Sequence, residues 1–210
     1  MKLYMIRHGQ STANAQRFHA GWAQVPLTEQ GMTQARSAVR LLNGIQFDRI
    51  YVSDLLRAQQ TLAAALPGAE SITTSLLREI NVGDLAGKTA DECLKIYGEQ
   101  YLADKAVHNF VTYGGEDDAM HLDRIRRFVV RLEQDVQPNV VAFCHEGSIR
   151  CMLDLVMGQR YSRKDYPLDN GSVSIFEFTD DHWMLIAWNV TADQEGEQRD
   201  YKNVEKASTN

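Results

Sequence analysis

Short β-prone runs alternate with amphipathic helical stretches along this chain, and that alternation constrains the fold more than any other feature. Lys2 to Ile6 is an apolar, strand-like run that stops at Arg7-His8-Gly9. Thr28 is placed to cap a helix in which Met32, Ala35, Val39 and Leu42 recur at helical spacing until Asn43-Gly44. Arg49 to Val52 reads as a second strand, and Ser53-Asp54 suits the cap of a helix from Leu55 to Leu66 that Pro67-Gly68 ends. Ser71 to Ser75 is a third short strand, and Thr89 to Lys105 is helical in pattern with Gly98 weakening its middle. From Glu116 to Gln137 a longer helix carries Leu122, Ile125, Phe128, Val129 and Leu132 on one face. Its arginines (Arg124, Arg126, Arg127, Arg131) are interleaved with Asp123 and Glu133, so they read as a solvated face rather than a phosphate-binding stripe. Val140 to Phe143 is a buried-type strand feeding a helix from Gly147 to Met157, and Val173–Phe178 with Trp183–Trp188 forms a hairpin turned at Asp180-Asp181.

Strands alternating with helices imply an α/β fold: a three-layer α/β/α sandwich on a mostly parallel sheet. The pattern fits one domain over residues 1–191, followed by a polar tail over 192–210. In such sheets ligands bind beyond the carboxyl ends of the strands. Three strand ends deliver unusual polar residues there: Arg7-His8-Gly9, Ser53 with Arg57, and His145 with Arg150.

Charge and cysteine content remove several function classes. The 210 residues carry 22 Lys+Arg against 28 Asp+Glu, a formal charge of −6. Such a chain has no global attraction to nucleic acid or to an anionic membrane, and the linear charge pattern holds no basic patch. No stretch approaches the roughly 20 apolar residues of a membrane span. Cys93, Cys144 and Cys151 are too few and too irregular for a disulfide framework, and no CxxC pair suggests zinc. A cytoplasmic protein, monomer or homodimer, is expected.

His8 taken alone reads as a strand-end histidine satisfied by a carbonyl. Its neighbours argue otherwise. Arg7 suits a buried strand end only where it faces an anion, and Gly9 lets the backbone approach a ligand closely. A neutral imidazole is also a capable nucleophile towards phosphorus near pH 7.

Here Leu3-Tyr4-Met5-Ile6-Arg7-His8-Gly9-Gln10-Ser11-Thr12-Ala13-Asn14 resembles the RHG signature of the histidine phosphatase superfamily, the phosphoglycerate-mutase-like enzymes. Further segments are similar to that family in order: Pro26–Gly31, Ser53–Thr61, Leu77–Gly87, Gly114–Asp117 and His145–Arg150. Together they span roughly residues 1 to 175, and ordered motifs are far more specific than any one alone. The resemblance implies that His8 attacks phosphorus and carries a transient phosphohistidine. It implies that Arg7, Arg57 and His145 surround the phosphoryl oxygens, where stabilising charge is the main catalytic task. Asn14 and, more weakly, Ser11 would donate hydrogen bonds to the same group. Glu79 would protonate the leaving alkoxide and then deprotonate the attacking water. The substrate implied is a small phosphorylated metabolite, with no cofactor and no metal. His19, His108, His121 and His182 lack motif support and read as incidental; Trp22, Trp183 and Trp188 read as packing residues.

One departure stands out: the family usually has glycine after its second histidine, and this chain has Glu146. The same segment offers a rival, because Cys144-His145-Glu146-Gly147-Ser148-Ile149-Arg150 fits the C-x-x-G-x-x-R loop of cysteine-dependent phosphatases. That reading leaves Arg7-His8-Gly9, Arg57 and Glu79 unexplained. Within the family, mutases of glycolysis use an inserted basic segment after the acidic loop. Here Lys88, Lys95 and Lys105 are the only basic residues between Glu79 and Gly115, so hydrolysis is favoured over phosphoglycerate mutase-type transfer. A non-catalytic phosphate-ester sensor would need neither His8 nor Glu79.

Overall fold

The computed structural model describes residues 1–158 and 163–192. The expected polar tail therefore lies, after Ala192, outside the described residues. Elements follow in the order β1 (Lys2–Arg7), α1 (Thr12–Gln16), α2 (Glu29–Arg40), β2 (Arg49–Ser53), α3 (Leu56–Ala65) and β3 (Ile72–Thr74). Then come α4 (Ala90–Tyr97), α5 (Glu99–Ala106), α6 (Asp118–Gln134), β4 (Asn139–Cys144), α7 (Glu146–Met157), β5 (Val173–Thr179) and β6 (His182–Val190).

The strands form one sheet in the order β3-β2-β4-β1-β5-β6. Pairs β2–β3, β2–β4 and β1–β4 are parallel, whereas β5 runs antiparallel to both β1 and β6. The sheet is thus mostly parallel, as the alternation implied. The turn from β5 to β6 uses Asp180 and Asp181, both at positive φ (49° and 60°), which suits a tight two-residue hairpin.

Successive residues of a strand face opposite sides, and β1 and β4 show it. Leu3, Met5, Val140, Ala142 and Cys144 pack with Ile125, Phe128, Ile149 and Met152 of α6 and α7. Tyr4, Ile6, Val141 and Phe143 pack on the other side with Ala38, Ala58 and Leu62 of α2 and α3. Two apolar faces covered by two helix layers make the three-layer sandwich. A third cluster of Val82, Leu85, Cys93, Tyr101, Phe110 and Tyr113 consolidates the segment between β3 and α6. No helix among the described residues is long and apolar enough to cross a membrane.

Three local expectations are corrected. The helical stretch from Thr89 divides at Gly98, whose φ of 64° ends α4 and starts α5. Ser53 and Asp54 do not cap α3: its N-cap is Leu55, which gives no side-chain cap, and the Leu56 N–H is met by Gln24 Oε1 at 2.7 Å. Asp54 is instead drawn to Arg78, with bonds of 2.8 and 2.5 Å. Finally, Arg124 is not on a solvated face; it is 6% exposed, and the reason lies in the site described next.

Candidate active site

Parallel strands put their carboxyl ends on one edge, and β1, β4 and β2 are adjacent. The three polar strand ends are therefore neighbours in space. His8 follows β1, Arg57 stands in the first turn of α3 after β2, and His145 is the N-cap of α7 after β4. The rings of His8 and His145 lie 5.2 Å apart.

His8 is nearly buried, with Nδ1 2.7 Å from the carbonyl oxygen of Gly9. A carbonyl only accepts, so Nδ1 carries the proton and Nε2 holds the lone pair. Arg57 Nε donates to that Nε2 at 3.2 Å. Burial, then the charges of Arg57 and Arg7, push the His8 pKa well below the ordinary histidine value, against the pull of the Gly9 carbonyl. The ring is neutral near pH 7, which a nucleophile requires.

Arg57 is 1% exposed, and its Nη1 and Nη2 donate to the carbonyls of Ala23 (3.2 Å) and Gly21 (2.9 Å). These contacts aim Nε at His8. Burial lowers the guanidinium pKa to about 10, so the group stays charged at neutral pH. Arg7 is arranged in the same way: Nη1 donates to the Leu168 carbonyl, Nη2 pairs with Glu146 at 2.9 Å, and Nε is buried without a partner.

His145 is fully buried, its Nε2 2.9 Å from Ser53 Oγ. Ser53 Oγ already accepts from the Leu55 N–H at 3.3 Å, so its own proton suits His145 Nε2. That leaves the proton of His145 on Nδ1, which is buried and unpartnered. Burial, then Arg57, lowers the His145 pKa well below the ordinary value.

Glu79 sits beyond β3, and its Oε1 accepts from the backbone N–H groups of Ile80 and Gly147, each at 3.0 Å. Its backbone is held by two side chains. Arg124 Nη2 and Trp22 Nε1 both donate to the Glu79 carbonyl, at 3.0 and 2.8 Å, and Arg124 Nη1 reaches the carbonyls of Leu76 and Arg78. Arg124 is itself fixed by Glu116 at 2.8 Å. Burial opposes the charge of Glu116, but Arg124 and the Asn81 N–H hold its pKa below the usual carboxylate range. Trp22 thus braces the acidic loop, with the Arg78 guanidinium 4.5 Å from its ring centre.

Ser11 and Asn14 form a reciprocal capping box on α1. Ser11 is fully buried and its hydroxyl lies 2.9 Å from Asn14 Oδ1, so Ser11 holds Asn14, which is exposed. Asn170 Nδ2 donates to the His8 carbonyl at 3.1 Å, tying the start of β5 to the nucleophile loop. At Gly9 a Cβ would meet the Gly31 carbonyl oxygen at 2.1 Å, so glycine here lets the loop press on α2.

Two readings fall at this point. Cys144 is fully buried in the α6–α7 side of the core, and burial pushes its thiol pKa far up, so no thiolate forms. His121 is not incidental: it is 2% exposed, near both Glu79 and Gly147, with Nε2 unpartnered. Helical spacing marks both His121 and Arg124 as core-facing. His121, Arg124, Phe128 and Leu132 follow one stripe of α6, so position outweighs residue type.

The sequence matches the histidine phosphatase superfamily (branch 1) over residues 3–191. The chain belongs to that superfamily. It is 29% identical over 164 residues to an adenosylcobalamin/alpha-ribazole phosphatase of Escherichia coli K12, covering 75% of this chain and 80% of that one. It is 34% identical over 165 residues to a 2,3-bisphosphoglycerate-dependent phosphoglycerate mutase of Bradyrhizobium diazoefficiens, covering 72% and 78%. The crystal structure of a putative alpha-ribazole-5'-P phosphatase from E. coli superposes with a TM-score of 0.82 at 27% identity, over 90% of this chain and 96% of that one. Members acting on phosphoric monoesters thus include both phosphatases and mutases.

Proposed function

We propose that this chain is a phosphomonoesterase that hydrolyses a small phosphorylated metabolite through a phosphohistidine on His8. The observation that carries the reading is the pairing of a neutral His8 with unsatisfied donors around it. Buried polar groups are normally hydrogen-bonded, yet Arg7 Nε and His145 Nδ1 have no partner and flank His8 in sequence or space. Phosphoryl oxygens would satisfy both.

In the first step His8 Nε2 donates its lone pair to phosphorus while the P–O ester bond breaks. The leaving oxygen takes a proton from the Glu79 carboxyl. In the second step the Glu79 carboxylate takes a proton from water, the water oxygen bonds to phosphorus, and the P–N bond electrons return to His8. Arg7, Arg57 and His145 stabilise charge on the phosphoryl oxygens in both transition states, and Asn14 adds a donor at the rim. No step needs a cofactor or a metal.

A mutase must also hold the carboxylate of its substrate. Lys88 donates to the Asp84 carbonyl and Lys105 lies over the Tyr101 ring, which supports hydrolysis over transfer. The similarity to mutases keeps transfer as the second reading. The test is a rapid quench with a labelled ester: the phosphoenzyme should be acid-labile and alkali-stable, and absent from His8→Ala. Phosphoglycerate isomerisation outpacing phosphate release would select the mutase. An active His8→Ala beside an inert Cys144→Ser would overturn the assignment.

A further inference from the structure

Among the described residues, Glu146 joins two arginines beside this site. Its Oε2 lies 2.9 Å from Arg7 Nη2, and its Oε1 accepts from Arg150 at 2.9 Å (Nε) and 2.8 Å (Nη2). Arg150 Nη1 also donates to the Tyr166 carbonyl, so both guanidiniums are held in place. Glu146 follows His145 directly and remains partly exposed, with 35% of its side chain reachable by solvent.

The consequence concerns charge. Arg7 and Arg150 would together form a wall able to read a second anion on a substrate. The carboxylate they share places a negative charge between them, where a second anion on the substrate would otherwise be read. A further carboxylate or phosphate on the substrate then meets Glu146 rather than a spare guanidinium. An ammonium or a hydroxyl meets no such repulsion.

We infer that Glu146 is a specificity-determining residue, selecting phosphomonoesters of small uncharged or cationic alcohols and rejecting those that carry a second anionic group. This rests on the hydrolase reading above. Like charges several ångströms apart in a partly shielded site change relative rates by about tenfold or more.

The test compares kcat/KM for three esters of similar size: O-phosphoethanolamine, glycerol 1-phosphate and 3-phosphoglycerate. The unmodified enzyme should use 3-phosphoglycerate at least about tenfold less well than glycerol 1-phosphate. Glu146→Gln should raise 3-phosphoglycerate about tenfold relative to glycerol 1-phosphate and lower O-phosphoethanolamine on the same scale. Glu146→Asp should keep the original ranking, because the charge remains. Equal use of glycerol 1-phosphate and 3-phosphoglycerate by the unmodified enzyme overturns the inference whether or not the variants fold. So does an unchanged ratio in Glu146→Gln. If p-nitrophenyl phosphate is also inert, the hydrolase reading itself has failed and this inference falls with it.

Discussion

Replacing Gly147 by alanine separates the role of Glu79 from the stability of the fold. Gly147 lies in the first turn of α7, and its N–H donates to Glu79 Oε1 at 3.0 Å. A methyl group at this position would sit 2.1 Å from Glu79 Oε1 and 2.7 Å from His121 Cε1. Neither contact is tolerable, so the Glu79 carboxylate must leave its two backbone N–H donors and the buried His121 ring must shift by a few tenths of an ångström. Alanine favours helix over glycine by about 0.5–1 kcal/mol, which offsets a lost hydrogen bond of about 1 kcal/mol. Displacing the buried His121 ring adds an overpacking cost, so stability should fall by about 1–3 kcal/mol, visible as a shift in the denaturation midpoint of a protein that still folds. Activity should respond much more. A positioned general acid and base contributes about 10²–10⁴-fold, so kcat on an alkyl phosphate should fall at least about a hundredfold. p-Nitrophenol leaves without being protonated, so its release should survive in the first turnover while the second step slows. Stopped-flow traces would then show a burst of p-nitrophenol and an accumulating phosphoenzyme. Wild-type kcat on an alkyl ester, in a folded Gly147→Ala protein, would refute the role given to Glu79.

Other perturbations reach the supports of the site. Arg124→Met strands Glu116, takes the arginine donor from the Leu76 carbonyl and removes one of two donors from the carbonyls of Arg78 and Glu79, so unfolding by urea should show a loss of about 3–5 kcal/mol. Arg57→Lys keeps the charge but loses the fork between Gly21, Ala23 and His8; kcat/KM should drop about a hundredfold or more with little change in circular dichroism. His8 and His145 have folded pKa values lowered by burial, so the unfolded chain binds more protons below its ordinary histidine pKa. Stability is then present above about pH 6.5 and falls as pH drops below it, by up to about 1.4 kcal/mol per histidine between pH 7.5 and 5.5. A double His8→Phe, His145→Phe variant should lose most of that slope in denaturation measured across this range.

How much of this was legible in sequence depends on whether a residue acts at a strand end or through packing. Arg7, His8, Arg57 and His145 are placed by the alternation itself, because parallel strands align their carboxyl ends and β1, β4 and β2 are neighbours. Glu79 follows the edge strand β3 by the same logic. Its supports do not. Arg124 looked solvated because residue type outweighed its position on the apolar stripe, whereas Glu116 and three carbonyls compensate its burial. Trp22 reaches the Glu79 carbonyl across 57 residues of sequence, a pairing that no local pattern encodes. The missed cap of α3 has a similar origin: Gln24 arrives from a distant loop and frees Asp54 for Arg78. The close approach of the Gly9 loop to the Gly31 backbone of α2 is likewise a tertiary contact that the sequence around Gly9 does not encode.

The two site arginines share one design with a mechanistic consequence. Both spend Nη atoms on groups of the protein and leave Nε for the pocket: Arg57 on the Gly21 and Ala23 carbonyls, Arg7 on Leu168 and Glu146. Arg57 Nε satisfies the His8 lone pair, which would otherwise be buried unpaired at a cost of about 1–3 kcal/mol. In the proposed reaction a substrate would exchange that bond for one between Nε and a phosphoryl oxygen, and the same exchange would release the lone pair for attack. Because the Nη contacts remain, the guanidinium need not travel, so the reorganisation that charge development normally demands is already done. In the proposed reaction, binding the phosphoryl group and unmasking the nucleophile are therefore one event. Glu146 moderates only the Arg7 side of that clamp, which is why its removal should alter the choice of ester more than the attack by His8.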